Sequence, residues 1–153
     1  MTVPLPTADD LTAAADRLAG RVRRTPLLAL PGTELGTAGR VLLKLELTQH
    51  TGSFKARGAL NSLLVGAPHA DGVVAASGGN HGAAVAWAAQ SLGVAATVFV
   101  PSTSPAEKTA RVRSFGADAR VVDGYYPPDT SCSAAVGAVC SAGWRWPART
   151  ARR

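Results

Sequence analysis

Cysteine is nearly absent from this chain of 153 residues: Cys132 and Cys140 are the only two, and both lie near the C-terminal end. Their spacing fits no common zinc pattern and builds no disulfide framework, so free thiols in a cytoplasmic compartment are expected, with no metal site. Aromatic residues make up only 5%, which leaves the core to aliphatic and alanine side chains. No apolar run approaches the length of a membrane span, and the N-terminus has no basic start followed by an apolar core. A membrane protein and a secreted one are therefore not expected. The net charge of +6 would suit a nucleic-acid partner. Yet no basic stripe is interleaved with aromatics and no reader motif occurs, which excludes that class. Half of the excess charge comes from Arg145, Arg149, Arg152 and Arg153, set against Asp129 alone.

What is present is a hydrophobic fraction of 46%, enough for a core, and a regular alternation of short elements. Asp9–Asp10 followed by Leu11 to Ala19 reads as a helix with acids in its first turn and Gly20 at its stop. Thr25-Pro26-Leu27-Leu28 is extended, because proline pushes its predecessor out of the helical region. Pro31-Gly32 turns the chain, and Arg40 to Glu46 reads as a strand. A helix follows Phe54 and continues to about Val65. Beyond it come a strand at Gly72–Ala76, a helix at Ala83–Leu92, a strand at Ala95–Val100, a helix from Ser104 to Phe115 and a strand at Ala119–Asp123. Ser104-Pro105-Ala106-Glu107 carries the pattern of a capping box with proline at the first helical position. Strand–helix–strand–helix–strand with short links predicts an α/β fold, a parallel sheet with flanking helices.

Two segments carry chemistry. In Thr51-Gly52-Ser53-Phe54-Lys55-Ala56-Arg57-Gly58-Ala59 one lysine stands where a loop runs into a helix. The helix dipole disfavours a cation there, which points to an amine kept as a nucleophile rather than as a solvated charge. Ser77-Gly78-Gly79-Asn80-His81-Gly82 links a strand to a helix. In open α/β sheets ligands bind beyond the carboxyl ends of the strands, glycines let backbone approach them, and the amides of the following helix favour a carboxylate or phosphate. The segment is neither a Walker loop, since no lysine closes it, nor a G-x-G-x-x-G fingerprint. A nucleotide-binding module built on it would leave Lys55 without a purpose.

Together these segments resemble the fold-type II pyridoxal-phosphate enzymes, most closely the serine/threonine dehydratase (threonine ammonia-lyase) and serine racemase family. The resemblance extends from Thr25-Pro26-Leu27 through Glu46-Leu47-Thr48-Gln49 and the two motifs to Phe99-Val100-Pro101 and Phe115-Gly116-Ala117. It implies a tryptophan synthase β-like architecture of two α/β domains. Lys55 would hold pyridoxal 5'-phosphate as a Schiff base and act as general base, Phe54 would pack on the pyridine ring, and Asn80 would bond the phenolic oxygen. Ser77, Asn80 and His81 would bind the substrate carboxylate, mostly through backbone amides and the serine hydroxyl. The implied reaction is β-elimination of L-serine or L-threonine to a 2-oxo acid and ammonia. Cysteine-synthase and threonine-synthase relatives tend to carry aspartate after the lysine, where this chain has Ala56. Racemases of the family carry a serine where Gly78 stands, which favours elimination over racemisation.

Members of the family are much longer chains. The later glycine loop for the cofactor phosphate, the serine or cysteine opposite the pyridine nitrogen and the acidic cation site have no counterpart here; Gly32 to Gly36 does not replace that loop. Residues 1–126 are accordingly expected to form the N-terminal part of the fold, a small domain plus part of the large one. Residues 127–153, with Trp144, Trp146 and four arginines, are expected to be a poorly ordered basic tail or a segment read in a shifted frame. A catalytically incomplete fragment with an exposed interface remains the alternative to an active enzyme. The partner implied is a small amino acid, with homo-oligomerisation open.

Overall fold

The computed structural model describes residues 5–66 and 72–123. The tail expected over 127–153, including both cysteines, lies outside the described residues. Helix α1, Ala8–Leu18, opens on a capping box. The Thr7 hydroxyl accepts from the Asp10 amide at 3.2 Å, and the Asp10 carboxylate accepts from the Thr7 amide at 2.8 Å. Strands β1, Leu27–Pro31, and β2, Arg40–Lys44, follow, joined by a 3₁₀ turn at Gly32–Leu35. They pair antiparallel with Leu27 opposite Lys44 and Pro31 opposite Arg40. The sequence pattern identifies both extended segments but not their pairing.

Helix α2, Lys55–Gly66, leads into the second half of the fold. There β3 (Val73–Ala76), α3 (Asn80–Ser91), β4 (Ala96–Pro101), α4 (Ala106–Ser114) and β5 (Asp118–Val122) alternate. The three strands form a parallel sheet in the order β3-β4-β5, as the alternation predicts. Central β4 buries Val98, Phe99 and Val100 without alternation, the mark of a strand covered on both faces. Helix α3 buries Ala83, Ala84, Val85, Ala86, Ala88 and Ala89. Small side chains let it sit close to both the sheet and α2, whose Leu60 and Leu63 complete the core. Gly82 shows how close this approach is: a Cβ there would lie 2.5 Å from the Ser77 carbonyl oxygen.

Two local expectations are corrected. Helix α3 begins at Asn80 rather than Ala83, so half of the SGGNHG loop is its first turn. The capping box of Ser104 and Glu107 does not form. Pro105 itself is the extended N-cap residue, which starts α4 one position later and leaves Ser104 outside it. The Ser104 amide instead donates to the Pro101 carbonyl at 2.9 Å.

No helix among the described residues is long and apolar enough to cross a membrane. Apolar surface is nevertheless exposed on the β1–β2 hairpin, where Leu27 and Leu42 lie diagonally on one face at 61% and 59% exposure. Leu28 and Leu43 are opposite one another on the other face and are also exposed. Contiguous apolar surface of this kind drives association. Light scattering should show concentration-dependent self-association of the chain, and Leu27→Glu combined with Leu42→Lys should abolish it.

Candidate active site

Lys55 owes its place to polar side chains in the segment before it. After β2 the chain makes a 3₁₀ turn at Glu46–Thr48 and reaches Gln49, which is buried. The Gln49 side chain closes a two-way bridge to one residue: its Oε1 accepts from the Arg23 amide at 3.0 Å, and its Nε2 donates to the Arg23 carbonyl at 2.9 Å. Oε1 also accepts from the His50 amide at 3.1 Å. Glu46 receives a fork from Arg57, with Nε to Oε2 at 2.9 Å and Nη2 to Oε1 at 2.8 Å. The Thr25 hydroxyl donates to the same Oε1 at 2.6 Å and accepts from Lys44 Nζ at 2.7 Å. This paired, hydrogen-bonded geometry is the strong kind of ion pair. It joins β2, the approach to β1 and the first turn of α2 around the lysine.

The loop itself is held from the far side. Arg111 on α4 donates from Nη2 to the Thr51 carbonyl at 2.7 Å, beside Gly52 with φ +64°. A side chain at Gly52 would be strained by that backbone and would meet the guanidinium at 2.9 Å. Next to it the buried hydroxyls of Thr51 and Ser53 have no hydrogen-bond partner among the described residues. His50 stacks on Trp87 of α3 with ring centroids 4.7 Å apart, which ties the lysine loop to the helix that begins in the second motif.

That second motif follows the carboxyl end of β3. The Ser77 amide donates to the Phe99 carbonyl on β4 at 2.9 Å, and the Gly79 amide donates to Ser77 Oγ at 3.2 Å. The hydroxyl hydrogen of Ser77 stays available to a ligand, since only its oxygen is engaged. Gly79 is the N-cap of α3 without a side-chain cap, so the first amides of the helix are open to an anion. Asn80 and His81 are the first two residues of that helix; Asn80 is exposed and His81 partly buried. Burial, and secondarily the charge of Lys55, hold the His81 imidazole below its ordinary range. The fold thus brings the two sequence motifs within electrostatic reach of each other. Lys55 is the exposed first residue of α2, with Nζ 4.9 Å from the ring centroid of Phe54, itself 60% exposed.

Residues 18–147 match the family described as pyridoxal-phosphate dependent enzyme. The chain belongs to that family. It is 43% identical over 110 residues to an L-threo-3-hydroxyaspartate ammonia-lyase of a Pseudomonas species, a match over 71% of this chain and 34% of that protein. It is 40% identical over 124 residues to a catabolic L-threonine dehydratase of Staphylococcus aureus, over 76% of this chain and 36% of that one. Among solved structures, a threonine deaminase of T.th. superposes with TM-score 0.65 at 45% identity, covering 80% of this chain and 38% of that chain. Maize serine racemase superposes with TM-score 0.68 at 35% identity, covering 76% and 36%. The chain spans about a third of the length of the curated relatives it matches.

The residues present suit the cofactor of this pyridoxal-phosphate dependent family. An accessible amine stands beside an exposed flat ring, two buried hydroxyls lack partners among the described residues, and a glycine-rich helix start opens toward an anion. Sequence reasoning names Lys55, Phe54, Ser77, Asn80 and His81, which the fold places at the starts of α2 and α3. It misses what positions them: Gln49, the Glu46–Arg57 fork and the Arg111 tether. Gln49 and Arg57 lie inside segments that carry the resemblance but receive no role from it, and Arg111 lies 60 positions from the carbonyl it holds, so no local pattern flags it.

The charges around the site can be tested by titration. The Arg57 fork holds the Glu46 carboxyl below the usual glutamate range. Its stabilisation is therefore complete above the ordinary glutamate value and is lost as pH falls through the lowered folded value. Glu46→Gln should cost about 1–3 kcal/mol at neutral pH in denaturant titrations, and the deficit should shrink in acid. For His81 the group concerned is a base: the unfolded chain binds the proton more tightly, so acidification through the ordinary imidazole range weakens folding. Lys55→Met should raise the His81 midpoint in an NMR titration yet leave it below the free value, because burial remains.

Proposed function

We propose that this chain carries the lysine-bearing wall of a pyridoxal-phosphate-dependent ammonia-lyase that dehydrates and deaminates L-serine or L-threonine. The observation that carries this reading is the pairing of an accessible Lys55 with the open, glycine-rich N-terminus of α3. The two relatives' names, an ammonia-lyase and a threonine dehydratase, support the same chemistry.

Pyridoxal phosphate, when bound, supplies an electron sink that acidifies the substrate's α-proton. The Lys55 amine would hold the cofactor aldehyde, and its Nζ would be the base that takes up that proton. Phe54 offers an apolar face to the cofactor ring, and Asn80 an amide group to its phenolic oxygen. The amides of Asn80 and His81 and the Ser77 hydroxyl orient the substrate carboxylate, as the helix dipole favours. A neutral His81 leaves its imidazole without a charge that would compete with Lys55 for this anion. Loss of the α-proton and the β-hydroxyl, together one water, leaves an enamine that hydrolyses to a 2-oxo acid and ammonia. Racemisation needs a second proton donor on the opposite side of the substrate, and Gly78 offers no side chain for it. The amino acid is thus directed toward elimination.

The experiment is a lysine-trapping one. The purified chain is incubated with pyridoxal phosphate, reduced with borohydride and mapped by mass spectrometry. The adduct should concentrate on Lys55 and vanish from that peptide in Lys55→Ala, whereas an even spread over all lysines would overturn the reading. Turnover is scored separately as 2-oxo acid formed from L-serine or L-threonine; substantial production of D-serine would exclude the preference for elimination.

A further inference from the structure

The turn Ser77-Gly78-Gly79 has a neighbour that the proposed chemistry does not use. Ser104 lies in the link between β4 and α4, its amide fixed to the Pro101 carbonyl at 2.9 Å, and the neighbouring Ser102 amide donates to the Val122 carbonyl on β5 at 2.8 Å. The link is therefore anchored on the sheet at two points. From there the Ser104 side chain fills the space beside Gly78. A Cβ built on Gly78 would stand 1.9 Å from Ser104 Oγ, 3.0 Å from Ser104 Cβ and 3.2 Å from Pro101 Cδ. Carbon and oxygen cannot approach so closely without bonding, so the two positions share one side-chain volume.

The sequence pattern assigns Ser104 to a helix cap, a role the structure withdraws. Its hydroxyl makes no hydrogen bond among the described residues, although it is only partly exposed. A serine with no cap to form, packed against a residue of the loop that carries no side chain, is explained if its task is to hold that loop. Gly78 lies between Ser77, tied to β4 through its amide, and Gly79, tied back to the Ser77 hydroxyl. Packing beside Gly78 restrains the one residue of this three-residue turn with no hydrogen bond to its backbone amide among the described residues.

We propose that Ser104 is a positioning residue of the candidate site: packed over Gly78, it sets the Ser77–Gly79 turn that presents hydroxyl and amides to the carboxylate of a small amino acid. This rests on the ammonia-lyase reading for the ligand class, but its packing half does not. Glycine at 78 and serine at 104 then form one unit, and a side chain at one position requires a smaller one at the other.

The test has two arms on the full chain. In the first, thermal midpoints are compared for Gly78→Ala, Ser104→Ala and the double variant. Gly78→Ala should lower the midpoint by about 3 °C or more, and the double variant should recover at least half of that loss. Strict additivity would overturn the shared volume. In the second arm, L-serine is titrated while the amide resonances of Ser77, Gly79 and Asn80 are followed by NMR. Ser104→Ala should weaken binding at least threefold and shift these amides in the free protein, while Ser104→Thr, which keeps the β-hydroxyl, should restore both. Wild-type affinity and amide positions in Ser104→Ala, or no L-serine binding by the wild-type chain, would overturn the positioning role. Lysine trapping reports separately: an intact Lys55 adduct beside a silent Ser104 sinks this inference alone, and loss of Lys55 selectivity beside strong 78–104 coupling sinks the ammonia-lyase reading alone.

Discussion

The carboxylate of Glu46 is the point on which the arrangement of this chain turns. It takes both branches of the Arg57 fork and the Thr25 hydroxyl, and Thr25 in turn takes the Lys44 ammonium. Four residues from three segments are satisfied at one place, with Thr25 buried, Glu46 and Arg57 partly buried and Lys44 at the exposed edge. Such a set is worth more intact than as separate bonds, because the loss of one member leaves the others desolvated and unpaired. Arg57 sits two positions after Lys55 on the same helix. The direction from which α2 starts, and with it the exit of the lysine side chain, is thus set by this charge pair together with the buried face of Ala56, Ala59, Leu60 and Leu63.

The second motif is held by different physics. Around α3 there is almost no charge; alanines and Gly82 bring backbone against backbone, and the turn before it is shaped by hydrogen bonds from Ser77 and by lack of space beside Gly78. One wall of the site is therefore electrostatic and the other steric. His81 is where they meet, feeling both the burial supplied by the second and the cation supplied by the first. A close-packed, uncharged helix start suits the binding of a carboxylate, since no side-chain cation has to be desolvated to receive it.

Much of this was legible in the residues because glycine, proline and the lysine motif mark boundaries that the backbone obeys. The parallel βαβαβ half follows from short apolar runs stopped at Gly93, Pro101 and Gly116. The β1–β2 pairing was not legible: Leu27-Leu28 and Leu42-Leu43 place apolar residues on both faces, so alternation names neither face nor partner. The start of α4 was misread because Pro105 serves as well for an N-cap in extended conformation as for a first helical residue, and Ser104 fits only the second case. The site's residues were visible as types, but their supports were not. Gln49, Arg57 and Arg111 act across long sequence separations, where spacing carries no information.

The Arg111 tether has a consequence for the order in which the molecule assembles. Thr51 cannot receive that guanidinium until β4 and α4 have docked, and the two residues are 60 positions apart. Closing so long a loop is slow compared with forming α2 or the β1–β2 hairpin. The hold on Thr51 and Gly52 is thus a restraint that only the assembled sheet can supply, whereas the Glu46–Arg57 pair that sets the start of α2 needs neither β4 nor α4.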